Sequence, residues 1–165
     1  MGLSRGVRHC HPTATEGSHV PAVQRVLFLC TGNSARSQLA EALLRTLGGR
    51  AFEVASAGTH PAGVHPLTTH VLAEVGVDVA GARSKHLDEF LDQAWDHVIT
   101  VCDDAAEACP VFPGAANLQH WSFADPAAVR GSAADRLAAF RLTRNAIRAR
   151  VAAFAMALEA RPDGI

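Results

Sequence analysis

The sequence predicts an α/β fold, a four-stranded parallel open sheet flanked by helices. Short apolar runs of strand length alternate with amphipathic helical stretches, the pattern of strands joined by helical crossovers. The chain has 165 residues, a length suited to one domain. Its longest apolar runs, Val26 to Cys30 and Val151 to Leu158, fall far short of the ~20 residues that cross a bilayer, so they belong to a core.

The elements follow in order. Residues 1–24 are rich in Gly, His, Ser, Thr and Pro, show no period, and are expected to form a disordered arm ahead of one folded domain over 25–160, with 161–165 as a tail. The strands are expected at Val26 to Leu29, Phe52 to Ala57, His97 to Cys102 and Leu118 to Ser122. Gln38 to Arg45 puts Leu39, Ala42 and Leu43 on one helical face and stops at Gly48-Gly49. Pro66 to Val75 reads as a helix closed by Gly76, and Leu87 to Ala94 as a short one. From Asp135 to Glu159, Leu137, Phe140, Ile147, Val151, Phe154 and Leu158 form one apolar stripe, with the arginines expected to face water.

Composition narrows the function. Fifteen Lys and Arg against 16 Asp and Glu leave a net charge of -1, so no basic surplus grips nucleic acid or an anionic membrane. Four cysteines are too few for a disulfide scaffold, and no apolar signal segment follows Arg5 and Arg8, so the thiols are expected reduced and the protein cytoplasmic. Cys10 with His9 and His11 lacks a distant fourth ligand, and the other histidines are scattered. No metal and no cofactor is expected.

The first strand carries the chemistry. Cys30 stands at its carboxyl end, where open α/β sheets bind ligands, and is followed by Thr31-Gly32-Asn33-Ser34-Ala35-Arg36-Ser37, a C-x5-R-S pattern. Small residues between strand and helix let successive backbone N–H groups turn inward, and Gly32 and Asn33 tolerate the φ values this needs. Residues 31–37 therefore form an oxyanion cradle. Arg36 adds a planar fork for two oxygens, and the helix that follows points its positive end at the same spot. These donors favour a thiolate nucleophile at Cys30, to which the Ser37 hydroxyl can also donate.

The stretch Cys30 to Gln38 resembles the anion loop of the low-molecular-weight protein tyrosine phosphatase fold, above all in its arsenate reductase branch. The resemblance continues through Ser56-Ala57-Gly58, Cys102-Asp103-Asp104-Ala105, Cys109-Pro110 and His120 to Pro126, and so covers about 25–160. It implies a general acid at Asp125, which residues alone leave open as an ordinary Asp-Pro turn. In the phosphatase branch this loop commonly reads Asp-Pro-Tyr. Here it reads Asp125-Pro126-Ala127, and the chain has no tyrosine.

The same resemblance, to thioredoxin-coupled arsenate reductases, implies a three-thiol relay. Cys30 attacks arsenate, Cys102 displaces arsenite from Cys30, and Cys109 resolves the disulfide for reduction by thioredoxin. Taken alone, Cys102 reads as a core cysteine and Cys109 as incidental. Seven residues of helix span about 10.5 Å, beyond disulfide reach, so a Cys102–Cys109 bridge requires the segment to unwind. Two other activities compete: a phosphatase using Cys30, Arg36 and Asp125 only, and a thiol sensor of arsenite or zinc. Some relatives also hold a monovalent cation through an Asn, a Ser, a Thr and an Asp. Asn33 and Ser56 match the first two, whereas Arg83 and Lys85 stand at the others, so the Lys85 ammonium or Arg83 is expected to replace the ion, the alternative being a solvated charge.

Overall fold

Four parallel strands, β1 (Gln24–Cys30), β2 (Phe52–Gly58), β3 (Trp95–Thr100) and β4 (Ala115–His120), lie side by side in the order β2-β1-β3-β4. They belong to a computed structural model that describes residues 22–108 and 112–161. The expected arm, Cys10 and Cys109 thus lie outside the described residues, apart from Ala22 to Gln24 at the arm's end. The helices are α1 (Arg36–Gly48), α2 (Pro66–Ala73), α3 (Asp103–Ala108) and α4 (Ala133–Glu159).

The strand order creates the site. From β1 the chain crosses to β2 on one side, and from β3 it crosses to β4 on the other. The carboxyl ends of the neighbours β1 and β3 thereby open into a crevice at the switch point of the sheet. Cys30 ends β1 and Cys102 follows β3 by two residues, so both thiols emerge there.

The central strands β1 and β3 are buried on both faces, as parallel strands commonly are. Val26 and Phe28 point to one face, where Leu39, Leu43, Val71, Phe140, Ile147 and Val151 from α1, α2 and α4 pack on them. Leu27 and Leu29 point to the other, against Trp95, Val98 and Phe112. Trp121 closes the first cluster, its ring against Phe28 and Phe154. The long helix α4 begins with a full capping box in which Ser132 and Asp135 satisfy each other's backbone N–H groups.

Three expectations are corrected. Leu87 to Ala94 is not a helix: only Leu87–Phe90 turns, as a 3-10 segment capped by His86, because Leu87, Phe90 and Leu91 pack downward onto the second cluster. The third and fourth strands begin and end earlier than expected, at Trp95–Thr100 and Ala115–His120, which moves Cys102 and Ser122 out of the sheet and into loops. Arg144 does not face water. It is buried, with its guanidinium bonded to the Val71 carbonyl at 2.9 Å and to Glu74 at 3.0 Å, and so ties α4 to the end of α2.

Candidate active site

The loop from Cys30 to Ser37 is shaped from outside. The carbonyls of Cys30, Thr31, Gly32 and Ser34 accept from the backbone N–H groups of Thr59, His60, Ala62 and His65, at 2.8 to 3.2 Å. The hydroxyls of Thr68 and Ser84 donate to the Ser34 and Gly32 carbonyls as well. With these oxygens drawn outward, the inner side of the turn is left to its N–H groups, and Asn33 N–H donates to the Cys30 sulfur at 3.2 Å. Asn33 reaches this geometry with φ 45°, the one positive φ outside glycine among the described residues. Gly58 makes the close approach possible, since a Cβ there would collide with the Thr31 carbonyl and lie 2.9 Å from Asn33 N.

Helix α1 opens without a side-chain cap, its N-cap being Ala35. Its first-turn amides therefore stay available to an anion above Cys30. Cys30 Sγ and Ser37 Oγ are 2.7 Å apart, both buried. Ser37 Oγ accepts from Asn33 Nδ2 at 2.8 Å, which leaves its own proton to donate to the sulfur.

The loop after β4 meets Arg36. The guanidinium donates to the Phe123 carbonyl at 3.1 Å and stands 3.7 Å from Asp125 Oδ2. Asp125 Oδ1 accepts from Ala127 N–H at 3.0 Å, where it caps the turn at Pro126–Ala128. One carboxylate oxygen is thus spent on holding the loop while the other faces the cradle. Nearby, His65 caps α2 through Nδ1 and lies against the Phe140 ring. Burial holds its imidazole below the ordinary value, with the Arg136 charge adding and Asp125 opposing.

Cys102 is buried, a free thiol like Cys30, and its Sγ lies 3.6 Å from Thr31 Oγ1. A second sulfur therefore stands at the rim of the anion loop. The loop, Arg36, Asp125 and Cys102 come together at one sheet edge; Cys109 cannot be added, being outside the described residues.

Behind the loop lies a polar cluster that the sequence reading reached only in part. Asn33 Nδ2 donates to Ser56 Oγ at 2.9 Å, and the Ser56 hydroxyl donates to the Glu41 carboxylate. Asn33 Oδ1 accepts from Lys85 N–H and from Gln38 Nε2. Lys85 Nζ stands 3.5 Å from Glu41 and donates to the Arg83 carbonyl at 2.8 Å. The Arg83 guanidinium is not brought here: it pairs with Glu89, which is long enough to hold it at the surface. Glu41 was not foreseen, because its partner Lys85 is 44 residues away and nothing local marks the pair. Among the described residues no group of three His, Cys, Asp or Glu side chains is arranged to hold a metal ion.

The profile of the low molecular weight phosphotyrosine protein phosphatase family matches residues 25–162. The chain belongs to this family. Within it, the chain is 39% identical to the arsenate reductase of Halalkalibacterium halodurans over 130 residues, 79% of this chain and 94% of that protein. The solved structure of an arsenate reductase in its phosphate-binding state superposes with TM-score 0.71 at 30% identity, covering 82% of this chain and 98% of the other. A thioredoxin-dependent arsenate reductase of Corynebacterium glutamicum gives TM-score 0.67 at 31% identity, over 86% of this chain and 64% of that one. The expected fold and family hold, and no helix among the described residues is long and apolar enough to cross a membrane.

Proposed function

We propose that the protein is a thioredoxin-coupled arsenate reductase that works in the cytoplasm. What carries the reading is the second buried thiol, Cys102, beside the Cys30 loop, since phosphoryl transfer through Cys30, Arg36 and Asp125 has no use for it. The identity to arsenate reductases across the domain supports the same substrate.

The reaction runs as three successive thiolate attacks followed by reduction of the final disulfide. The loop amides and Arg36 hold arsenate over Cys30, and the Cys30 thiolate attacks arsenic while Asp125 protonates the departing oxygen, which leaves as water. The Cys102 thiolate then attacks Cys30 Sγ. The S–As bonding pair passes to arsenic, reducing As(V) to As(III), and arsenite leaves as a Cys30–Cys102 disulfide forms. Cys109 thiolate attacks Cys102 Sγ, Cys30 departs as a thiolate, and the resulting Cys102–Cys109 disulfide is reduced by the dithiol of thioredoxin, the source of both electrons. Lys85 Nζ takes the place of a monovalent cation behind Asn33, a role left to it alone by the pairing of Arg83 with Glu89.

A phosphatase acting on phosphoesters through Cys30, Arg36 and Asp125 is the second reading, favoured by the family and by the loop's fit to any tetrahedral oxyanion. The deciding experiment is arsenate-dependent NADPH oxidation with thioredoxin and its reductase. Turnover in the parent that becomes single or vanishes in Cys109→Ser is the expected result. If neither protein consumes NADPH and both hydrolyse an aryl phosphate equally, the extra thiols are bystanders and the phosphatase reading stands.

A further inference from the structure

Cys102 is held from two sides by different means. On one side, Val101 N–H donates to the Leu29 carbonyl at 2.8 Å, so the backbone before Cys102 belongs to the sheet edge. On the other side begins α3, described over Asp103–Ala108, a stretch too short to hold itself in water as an isolated helix. Its first residue, Asp103, reaches over to the end of β4. Asp103 Oδ1 accepts from His120 Nε2 at 2.9 Å and from Ser122 Oγ at 3.0 Å. These donors flank Trp121, whose ring is buried between Phe28 and Phe154 and whose backbone N–H donates to the Thr100 carbonyl at 2.8 Å. His120 is oriented in turn by Thr100 Oγ1, 2.7 Å from Nδ1. An ionised carboxylate only accepts, so Nε2 carries the proton. The His120 and Ser122 bonds hold the Asp103 carboxyl below its ordinary range, with a smaller contribution from the Arg36 charge.

We propose that Asp103 is a positioning residue, a latch that fastens the first turn of α3 to the end of β4 and so keeps Cys102 at the rim of the Cys30 loop. Asp103 itself touches no reacting atom. The proposal rests on the reductase reading for its use in turnover, because only there does Cys102 attack and then leave its place. The chemistry of the latch suits that task. Its bonds are exposed to water and individually weak, strong enough together to bias a short helix and weak enough to open in each cycle.

The test is alkylation of the reduced full chain by iodoacetamide, with Cys102 and Cys30 followed separately by peptide mass spectrometry. In Asp103→Ala, Cys102 alkylation is expected to rise about fivefold to tenfold through opening of the first turn, with Cys30 within about twofold of the parent. Asp103→Asn removes the charge and keeps the acceptor oxygen, so it is expected to stay within about twofold at both thiols. Ser122→Ala, which removes one donor and no charge, gives a smaller rise of the same kind and serves if the alanine variant at 103 fails to fold. An unchanged Cys102 rate in Asp103→Ala, or an equal rise in Asp103→Asn, overturns the latch, the second by assigning the effect to charge. If the alkylation pattern appears as expected while the parent never oxidises NADPH with arsenate, the reductase reading falls and the latch survives it.

Discussion

Lys85 Nζ stands 3.5 Å from Glu41 Oε2, with both side chains about nine-tenths buried behind the anion loop. The pair is the foundation of Asn33: Glu41 takes the Ser56 hydroxyl, Ser56 takes Asn33 Nδ2, and the Lys85 backbone N–H holds Asn33 Oδ1. Removing the ammonium leaves the buried Glu41 carboxylate with Arg45 alone, whose guanidinium lies 2.5 Å from Oε1 and is more than half exposed. Lys85→Met is therefore expected to lose about 1–3 kcal/mol of unfolding free energy, read by urea denaturation. With the Lys85 ammonium in its proposed place of a cation, the parent's activity is expected to be the same in potassium and sodium chloride. Clear activation by potassium would overturn that role for Lys85.

Gly58 is the point where the β2 edge touches the loop. Gly58→Ala drives a methyl into the Thr31 carbonyl and toward Asn33 N, which are backbone atoms with nowhere to go. A displacement of ~1 Å in a cradle of this kind costs about 10²-fold in rate. The loss is expected in both arsenate reduction and aryl phosphate hydrolysis. A loss in one activity only would mean that the cradle is not shared.

Asp125 has one oxygen on Ala127 N–H and the other toward Arg36. Asp125→Asn keeps the capping acceptor and removes the acid. An aryl phosphate with a poor leaving group is expected to be hydrolysed about 10²-fold to 10⁴-fold more slowly, while a good leaving group, which needs no proton, suffers less. Equal losses on both substrates would point to a loop defect instead.

His97 gives the fold a pH dependence. Its ring is buried on β3 against Phe154, Nδ1 has no partner among the described residues, and burial holds its pKa below the ordinary imidazole value. The folded state resists protonation while the unfolded chain accepts it at the ordinary value. Stability is therefore full above the unfolded-state value and is lost as the pH falls below it toward the folded one. His65 acts in the same direction. The urea midpoint is expected to fall between pH 7.5 and 5.5, and to fall less in His97→Leu. An identical slope in the variant would remove His97 from the account.

Much of this was legible in the chain. The run from Val26 to Cys30 and the small residues after it announce a strand, a turn and a nucleophile together, because local chemistry alone decides those features. The β4 segment was blurred for a physical reason: Ala115 to Gln119 form an exposed edge strand, with Leu118 57% exposed, so no apolar alternation marks where pairing with β3 begins. Leu87 to Ala94 has the composition of a helix, yet Trp95 N–H bonds to Gly114 and the Trp95 indole to the Phe90 carbonyl, which pull the segment down before a second turn can form. The Glu41–Lys85 pair and the Asp103–His120 contact are products of topology, joining residues 44 and 17 apart with no shared period.

Thr31 is the hydroxyl nearest the second thiol. At 3.6 Å from Cys102 Sγ, its Oγ1 can donate to a thiolate there and align it toward Cys30. Valine has the same shape and no donor, so Thr31→Val keeps the turn and removes that one bond. The attack of Cys102 on Cys30 is expected to slow about tenfold, the effect of losing one weak charge-assisted hydrogen bond. Thr31→Ser, which keeps the hydroxyl, is expected to restore the step. The measurement is the rate of Cys30–Cys102 disulfide formation in a single turnover of arsenate, quenched by acid and read by mass spectrometry, with the arsenate affinity of each variant measured alongside. If valine and serine slow the step equally, the hydroxyl plays no part. If valine weakens arsenate binding and leaves the disulfide step unchanged, Thr31 serves the cradle alone.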